Sequence, residues 1–408
     1  MRYIDFVDLD YQPRESDLVC KFRVDPGDHP MEFIAGGVAA ESSVGTWTEL
    51  STEEPYVRER AAKVFSLEGD RFKVAYPLEL FEPGNMPNIL SSVAGNVFGL
   101  EDLRSLRMED IWFPGELAES FKGPKYGVEG VRRVTGVEGR PLVGTIIKPK
   151  LGLVTRDHAK VAYEAWLGGC DVVKDDENLA NQGFNPFEDR LAQTLEARDK
   201  AEQETGEKKV YMINVSAETR EMMRRAEAVE DQGGRYMMVD ILTTGWSSLQ
   251  TLRDLDLDLV IHAHRAGHAA FTRDPRHGIN MVVICKVARL IGVDQLHVGT
   301  GVGKMAETRR EVEENIGACV GPLHGLKPVL PVASGGLHPG MVPQLVDTFG
   351  LDTVIQAGGG IHGHPKGTLA GARAMRQAVD AVIQGVPLEE YAQDHEELRL
   401  ALERWPSP

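Results

Sequence analysis

The string KDDEN at 174–178 sets Lys174, Asp176 and Glu177 close together in the chain. If the string ends a β-strand, Lys174 and Asp176 share one face and Asp175 points away, while Glu177 sits where strand gives way to loop and can turn inward. Two converging carboxylates are hard oxygen ligands, suited to Mg²⁺ that keeps several waters. Zn²⁺ would call for His or Cys. An ammonium cannot ligate a cation, so the lysine is a salt-bridge partner, a desolvated base or a modified side chain. Addition of CO2 to its amine would turn it into an oxygen ligand of opposite charge. The plainer alternative is a structural ion-pair cluster.

Other strings carry related chemistry. TIIKPKLGL at 145–153 holds Lys148 and Lys150 two residues apart, on one face of a strand that Pro149 ends. Two such cations repel, and repulsion lowers a lysine pKa toward the range of a general base. HAHRAGH at 262–268 puts His262 and His264 on one face and Arg265 on the loop side, where a guanidinium suits bidentate phosphate binding. HVGTGVGKMAE at 297–307 begins at His297 and is a glycine-rich loop carrying Lys304, fitting a lid that closes over substrate. The GxxxxGK[ST] spacing of a P-loop is absent. Ser334-Gly335-Gly336 and Gly358–Gly360 close two later apolar runs, where backbone N–H groups can cradle phosphate.

These groups need a scaffold that gathers them. From Leu142 onward eight short apolar runs recur, at 142–149, 171–177, 210–216, 236–242, 259–266, 295–300, 329–336 and 353–360. Amphipathic helical stretches such as RDHAKVAYEAWLGG and FEDRLAQTLEARDKAEQ fill the gaps. That alternation predicts an α/β fold, a parallel (β/α)8 TIM barrel. The runs begin apolar and end in Lys148, in Lys174 with Asp176 and Glu177, in Asn214, Asp240, His264 with Arg265, His297, Ser334 and the last glycines. A barrel brings all such ends to one mouth. Residues 1–140 mix strand-like runs (17–24 and 71–80) with helical ones (HPMEFIAGGVAAE, MPNILSSVAGNVFG), predicting a smaller α+β, ferredoxin-like domain. GVEGRPL at 136–142 is the expected link to a barrel domain over 141–408.

Composition narrows the partners. The 408 residues carry 45 Lys and Arg against 62 Asp and Glu, a formal charge of −17. That argues against nucleic acid and anionic membrane, while a few local cations can still bind phosphate. Four scattered cysteines (Cys20, Cys170, Cys285, Cys319) predict reduced thiols and a cytoplasmic setting. The first residues, MRYIDFVDLDYQPRE, have acids where a signal peptide needs an apolar run. No stretch reaches the roughly 18 apolar residues of a membrane span. Together the groups describe one divalent metal, several lysines, two anion pockets and a lid. The matching substrate has phosphate at both ends and oxygens between, and the matching chemistry is proton abstraction α to a carbonyl, giving an enediolate.

In order along the chain, from ESSVGTW to HGHPKG, these strings resemble the large subunit of ribulose-1,5-bisphosphate carboxylase/oxygenase (RuBisCO). FEPGNMP, ETGEKK and ASGGLHPG are most similar to the archaeal form III enzymes, which have no small subunit. The resemblance implies that Lys174 is carbamylated by CO2 and, with Asp176 and Glu177, holds Mg²⁺. It makes Lys148 the base that enolises the substrate and later protonates the product, with Lys150 in support and His264 aiding proton transfer. Arg265, His297 and Ser334 would hold one phosphate, with Gly335 beside them. Thr46, Trp47, Gly336, Gly358 and Gly359 would hold the other. Lys304 would close over the site and stabilise the new carboxylate. Glu41 and Asn96 match residues that reach into a neighbouring subunit's barrel, implying a homodimer or a higher homo-oligomer of dimers. The implied reaction converts ribulose 1,5-bisphosphate, CO2 and water to two 3-phosphoglycerates, with an oxygenase side reaction. The usual form III role is AMP and nucleotide salvage. A RuBisCO-like enolase or isomerase acting on another sugar phosphate, or a non-catalytic metal-dependent assembly protein, is the alternative. The presence of Lys304, Thr46, Trp47, Arg265 and His297 favours the carboxylase. Against the plant pattern, Ile146 replaces a Thr, Gly267 a Met, Ile361 and His362 a Thr-Leu pair, and Met305 and Ala306 a Leu-Glu pair, which removes a loop-positioning carboxylate.

Overall fold

A computed structural model describes residues 1–303 and 306–405. The chain forms two compact units. The first is Met1–Lys122 with Gly267–Ile291 and Leu323–Gly325; the second is Gly123–Ala266, Gly292–Pro322 and the chain from Leu326 on.

In the first unit a five-stranded sheet runs in the spatial order Gly278–Ile279, Ser105–Trp112, Leu18–Asp25, Arg71–Tyr76, Lys63–Glu68. Leu18, Cys20, Phe22 and Val24 are buried on one face, as a period of two requires, and Phe22 stacks on Phe72 at 5.3 Å. The run read as strand over 71–80 stops at Tyr76, where Pro77 starts a single 3-10 turn, Leu78–Leu80. The expected helix from Met86 ends at Val93, and Asn96–Gly99 is a separate 3-10 turn beyond Gly95. Strands Lys63–Glu68 and Ser105–Trp112 lack a clean sequence signal because Lys63, Glu68, Arg107, Glu109 and Asp110 break up their apolar alternation.

In the second unit, eight parallel strands close into a barrel in chain order: Leu142–Ile146, Val172–Lys174, Val210–Asn214, Tyr236–Asp240, Val260–His264, Gln295–His297, Leu330–Ser334 and Val354–Gln356. The last pairs with the first, Val354 opposite Leu142. All eight runs anticipated from sequence are strands, each shorter than its apolar run. Leu142, Val172, Val210, Met212, Tyr236, Met238, Val260, Leu330, Val332 and Val354 pack with Val131 and Val137 in one apolar cluster. Val131 lies on the helix Gly127–Thr135. Arg132 of that helix donates to the Leu351 and Arg140 carbonyls and to Asp352. The 136–142 stretch therefore lies inside the second unit. With the floor sealed by hydrocarbon, the polar side chains are left to the other end.

All four cysteines are buried. No helix among the described residues is long and apolar enough to cross a membrane.

Candidate active site at the barrel mouth

The second strand ends at Lys174, and the next two residues split as pleating requires. Asp175 points into the helical layer. Its carboxylate accepts from Tyr211 Oη at 2.6 Å and Arg190 Nε at 3.1 Å, with His158 Nε2 also 3.1 Å away. Arg190 also donates to the Asn185 and Ala180 carbonyls, both at 2.7 Å, which staples the loop that follows Glu177. Asn214 pins the same loop through the Glu177 and Leu179 carbonyls, both at 3.1 Å. Burial works to raise the Asp175 carboxyl, but Arg190, His158 and Tyr211 hold it well below the usual carboxylate range. Replacing Asp175 by Asn leaves Arg190 charged and buried without a counter-ion. A loss of about 3–5 kcal/mol of stability is expected in urea unfolding.

Asp176 stays on the barrel side, accepting from Lys148 Nζ at 2.6 Å and from Asn178 Nδ2 at 3.1 Å. Burial works to raise its carboxyl, but the Lys148 bond and charge and the Lys174 charge hold it below its ordinary range. Lys174 is fully buried; its Nζ donates to the Asp175 carbonyl at 2.7 Å and to the Met238 thioether at 3.1 Å. Sulfur is a weak acceptor, and desolvation lowers the Lys174 pKa against the opposing charges of Glu177, Asp240 and Asp176. Glu177 is half-buried, with Oε2 3.8 Å from His264 Nε2.

The first strand ends at Ile146, so Lys148 and Lys150 stand on the following loop and not on one strand face. The partner of Lys148 is a carboxylate rather than the second lysine; the repulsion expected from their spacing does not describe this site. Pro149 has no N–H to continue the ladder. Lys150 is exposed. The Lys148 side chain lies over the loop after the eighth strand: a Cβ on Gly358 would sit 3.0 Å from Lys148 Cε, so glycine there lets the lysine cross. Gly359 is exposed beside it.

A histidine cluster fills the next sector. His262 Nδ1 meets Gln295 Oε1 at 2.8 Å and its Nε2 meets His297 Nε2 at 2.9 Å, while the His264 and His297 rings lie 4.8 Å apart. His264 Nδ1 donates to Asp240 Oδ1 at 2.6 Å, leaving Nε2 toward Glu177. Burial pushes His262 down to about 3 and His297 well below its ordinary value. His262 is thus neutral when folded but titrates near 6.5 when unfolded, and between those values the unfolded chain binds the extra proton. Stability is full above about pH 6.5 and falls as pH drops below it. On the order of 2 kcal/mol is lost from His262 alone between pH 7 and 5, measurable by urea unfolding at the two pH values. His362 is also settled. Thr145 Oγ1 spends its proton on the Ala357 carbonyl at 2.7 Å, so His362 Nε2 donates to Thr145 at 2.9 Å and Nδ1 accepts from Thr368 at 3.0 Å. Burial pushes His362 down to about 4.

The barrel therefore brings together Lys148, Lys174, Asp176, Glu177, His264, His297 and Arg265, with Ser334, Gly335, Gly336, Gly358 and Gly359 on the loops of strands seven and eight. Lys304 and Met305 lie outside the described residues. Glu41, Thr46, Trp47 and Asn96 belong to the first unit, where Glu41 accepts from Tyr3 Oη at 2.9 Å and Trp47 is 81% exposed. Asp240, set from sequence at the end of its apolar run without a role, orients His264, and Glu307 is a residue that sequence reasoning missed. The Leu-Glu replacement had implied that the loop carboxylate was gone. Glu307 stands one residue further on and pairs with Arg265 at 2.6 Å.

Among the described residues, no three His, Cys, Asp or Glu side chains gather as a metal cluster. Asp176 and Glu177 offer carboxylate oxygens, with Lys174 two residues before Asp176.

Residues 127–405 match the family description "Ribulose bisphosphate carboxylase large chain, catalytic domain", and residues 5–117 its N-terminal domain. The ribulose bisphosphate carboxylase of Methanocaldococcus jannaschii is 48% identical over 98% of this chain and 100% of its own length. That of Pyrococcus furiosus is 49% identical over 99% and 97%. Among solved structures, octameric RuBisCO from Pyrococcus horikoshii OT3 superposes with a TM-score of 0.96 at 48% identity, covering 99% of this chain and 97% of that one. Dimeric archaeal RuBisCO from Hyperthermus butylicus gives 0.92 at 46%, covering both chains in full. On this site, this fold and these matches, the chain belongs to the ribulose bisphosphate carboxylase large-chain family.

Proposed function

We propose that the chain is a ribulose-1,5-bisphosphate carboxylase, converting ribulose 1,5-bisphosphate, CO2 and water to two molecules of 3-phosphoglycerate, with O2 as a competing co-substrate. One observation carries the reading: a buried lysine with a carbonyl and a thioether for acceptors among the described residues, close to two barrel-mouth carboxylates, one of them held by a second lysine. Two carboxylates leave a hard cation short of protein oxygens, and a carbamate on Lys174 would supply the third ligand. Lys174, Asp176 and Glu177 would hold Mg²⁺, which when bound supplies Lewis acidity to the sugar's oxygens.

The remaining roles fall to the chain's own groups. Lys148 takes the proton from C3 of the sugar, giving the enediolate whose C2 bonds to CO2. After water adds at C3 and the C2–C3 bond breaks, Lys148 returns a proton to C2. Lys150 supports it from the same loop. His264, its Nδ1 fixed by Asp240, presents Nε2 to move protons on the substrate's oxygens. Arg265, His297, Ser334 and Gly335 hold one phosphate. Gly336, Gly358 and Gly359 hold the other, with Thr46 and Trp47. Lys304 stabilises the new carboxylate. Glu41 and Asn96 serve the site of a second copy, in a homodimer or an oligomer of dimers without a small subunit. An 81% exposed tryptophan supports such a use against another surface. The setting is a cytoplasm, and the substrate comes from AMP and nucleotide breakdown.

The test is fixation of radiolabelled CO2 by purified protein with Mg²⁺ and ribulose 1,5-bisphosphate. Label in acid-stable 3-phosphoglycerate is expected. Exchange of the C3 proton with no fixation would instead identify an enolase or isomerase of the same family.

A further inference from the structure

Arg265 and Glu307 form an ion pair inside the barrel unit, 42 residues apart in sequence, with Nη2 to Oε1 at 2.6 Å. Both side chains are largely shielded, at 6% and 16% exposure. The other guanidinium nitrogen, Nη1, is buried with no hydrogen-bond partner among the described residues. The pair is held from two sides. Thr308, the next residue, caps the helix Arg309–Val320 through a reciprocal bond pattern with Glu311, which anchors the backbone beside Glu307. On the other side Gly299, at φ +96°, leaves no room to spare. A Cβ there would lie 3.1 Å from Val312 Cγ2, 3.3 Å from Arg265 Nη2 and 3.4 Å from Glu307 Cδ. Glu307 is thus a fixed anion, built in beside the guanidinium.

We propose that the Glu307 carboxylate is an internal competitor for the phosphate that Arg265 binds, and so sets the affinity of this end of the site for its substrate. The inference rests on the reading of Arg265 as a phosphate ligand. A buried guanidinium without a counter-ion is costly, and in the ligand-free chain Glu307 supplies that charge. An arriving phosphate dianion brings two negative charges to the same guanidinium. It either displaces the carboxylate or sits beside it against like-charge repulsion, and both routes weaken binding relative to an uncharged neighbour. The carboxylate makes the free protein more comfortable and the liganded one less so. It thereby opposes retention of phosphate esters after turnover.

The experiment uses inorganic phosphate as the probe and calorimetry on the whole protein, with wild type, Glu307→Gln, Arg265→Gln and the double variant. Glutamine keeps the shape and an oxygen acceptor for Arg265 while removing the charge. Glu307→Gln is expected to bind phosphate about tenfold more tightly than wild type. The gain should vanish in the Arg265→Gln background, and Glu307→Asp, which keeps the charge, should stay close to wild type. Should Arg265→Gln not fold, Arg265→Lys takes its place. Binding by Glu307→Gln that is unchanged or weaker, with phosphate still lost on removing Arg265, overturns the proposal and leaves the phosphate reading intact: the carboxylate would then orient the guanidinium. Phosphate binding that ignores Arg265 altogether overturns the phosphate reading, and the competitor with it.

Discussion

Lys174→Met is expected to abolish CO2 fixation while leaving the folded chain as stable as wild type or more so. The side chain sits at 1% exposure, with the weakly accepting Met238 sulfur as a partner. A buried ammonium so poorly solvated costs free energy that a thioether of similar length does not. Stability should therefore hold or rise, by about 1–3 kcal/mol, when measured by urea unfolding in CO2-free buffer. Activity should go the other way. Without the lysine there is no amine to take up CO2 and no third oxygen ligand. The several kcal/mol that a Lewis acid contributes at the transition state is lost, about 10³-fold or more in rate. A variant that is stable and inactive separates a functional lysine from one that merely completes an ion-pair cluster. In the second case stability would fall and residual fixation would track the folded fraction.

The second large effect belongs to Lys148. Its Nζ reaches Asp176 at 2.6 Å, and its stem crosses Gly358 on the loop of the adjacent eighth strand. On the proposed reading of Lys148 as the enolising base, Lys148→Ala should lower both exchange of the substrate's C3 proton and CO2 fixation, each by about 10²–10⁴-fold. Lys304→Ala should abolish fixation and spare the exchange. Exchange is followed by loss of tritium from C3-labelled substrate, fixation by incorporation of radiolabelled CO2. Loss of both in Lys304→Ala, or of neither in Lys148→Ala, would reverse the division of labour between the two lysines.

The barrel was legible because its strands are buried on both sides and read as unbroken apolar runs, and because chemistry-bearing residues stand at the ends of those runs. Alternation alone set Asp175 apart from Lys174 and Asp176, and the structure shows Asp175 turned into the helical layer. Alternation could not name Arg190, Tyr211 and His158 as its partners, since those contacts join separate helices and strands. The same holds for Asp240 with His264 and for Arg265 with Glu307, pairs made only when adjacent strands come together. TIIKP reads as one continuous strand that carries Lys148, yet the strand stops at Ile146, three residues before Pro149. In the first unit, Ser105–Trp112 carries Arg107, Glu109 and Asp110. Glu109 is met by Lys21 at 3.1 Å from the adjacent strand and by Arg71 at 2.9 Å from the strand beyond it. Charge satisfied across a sheet is invisible to a period-two search for hydrocarbon.

The most direct measurement is of CO2 itself on the protein. Enzyme incubated with radiolabelled bicarbonate, with and without Mg²⁺, is quenched under conditions that trap carbamates, and the modified peptide is mapped. One Mg²⁺-stabilised label per chain on Lys174, absent from Lys174→Met and rising in step with activity, is the expected result. A fully active enzyme that carries no such label, or carries it on another lysine, would contradict the account.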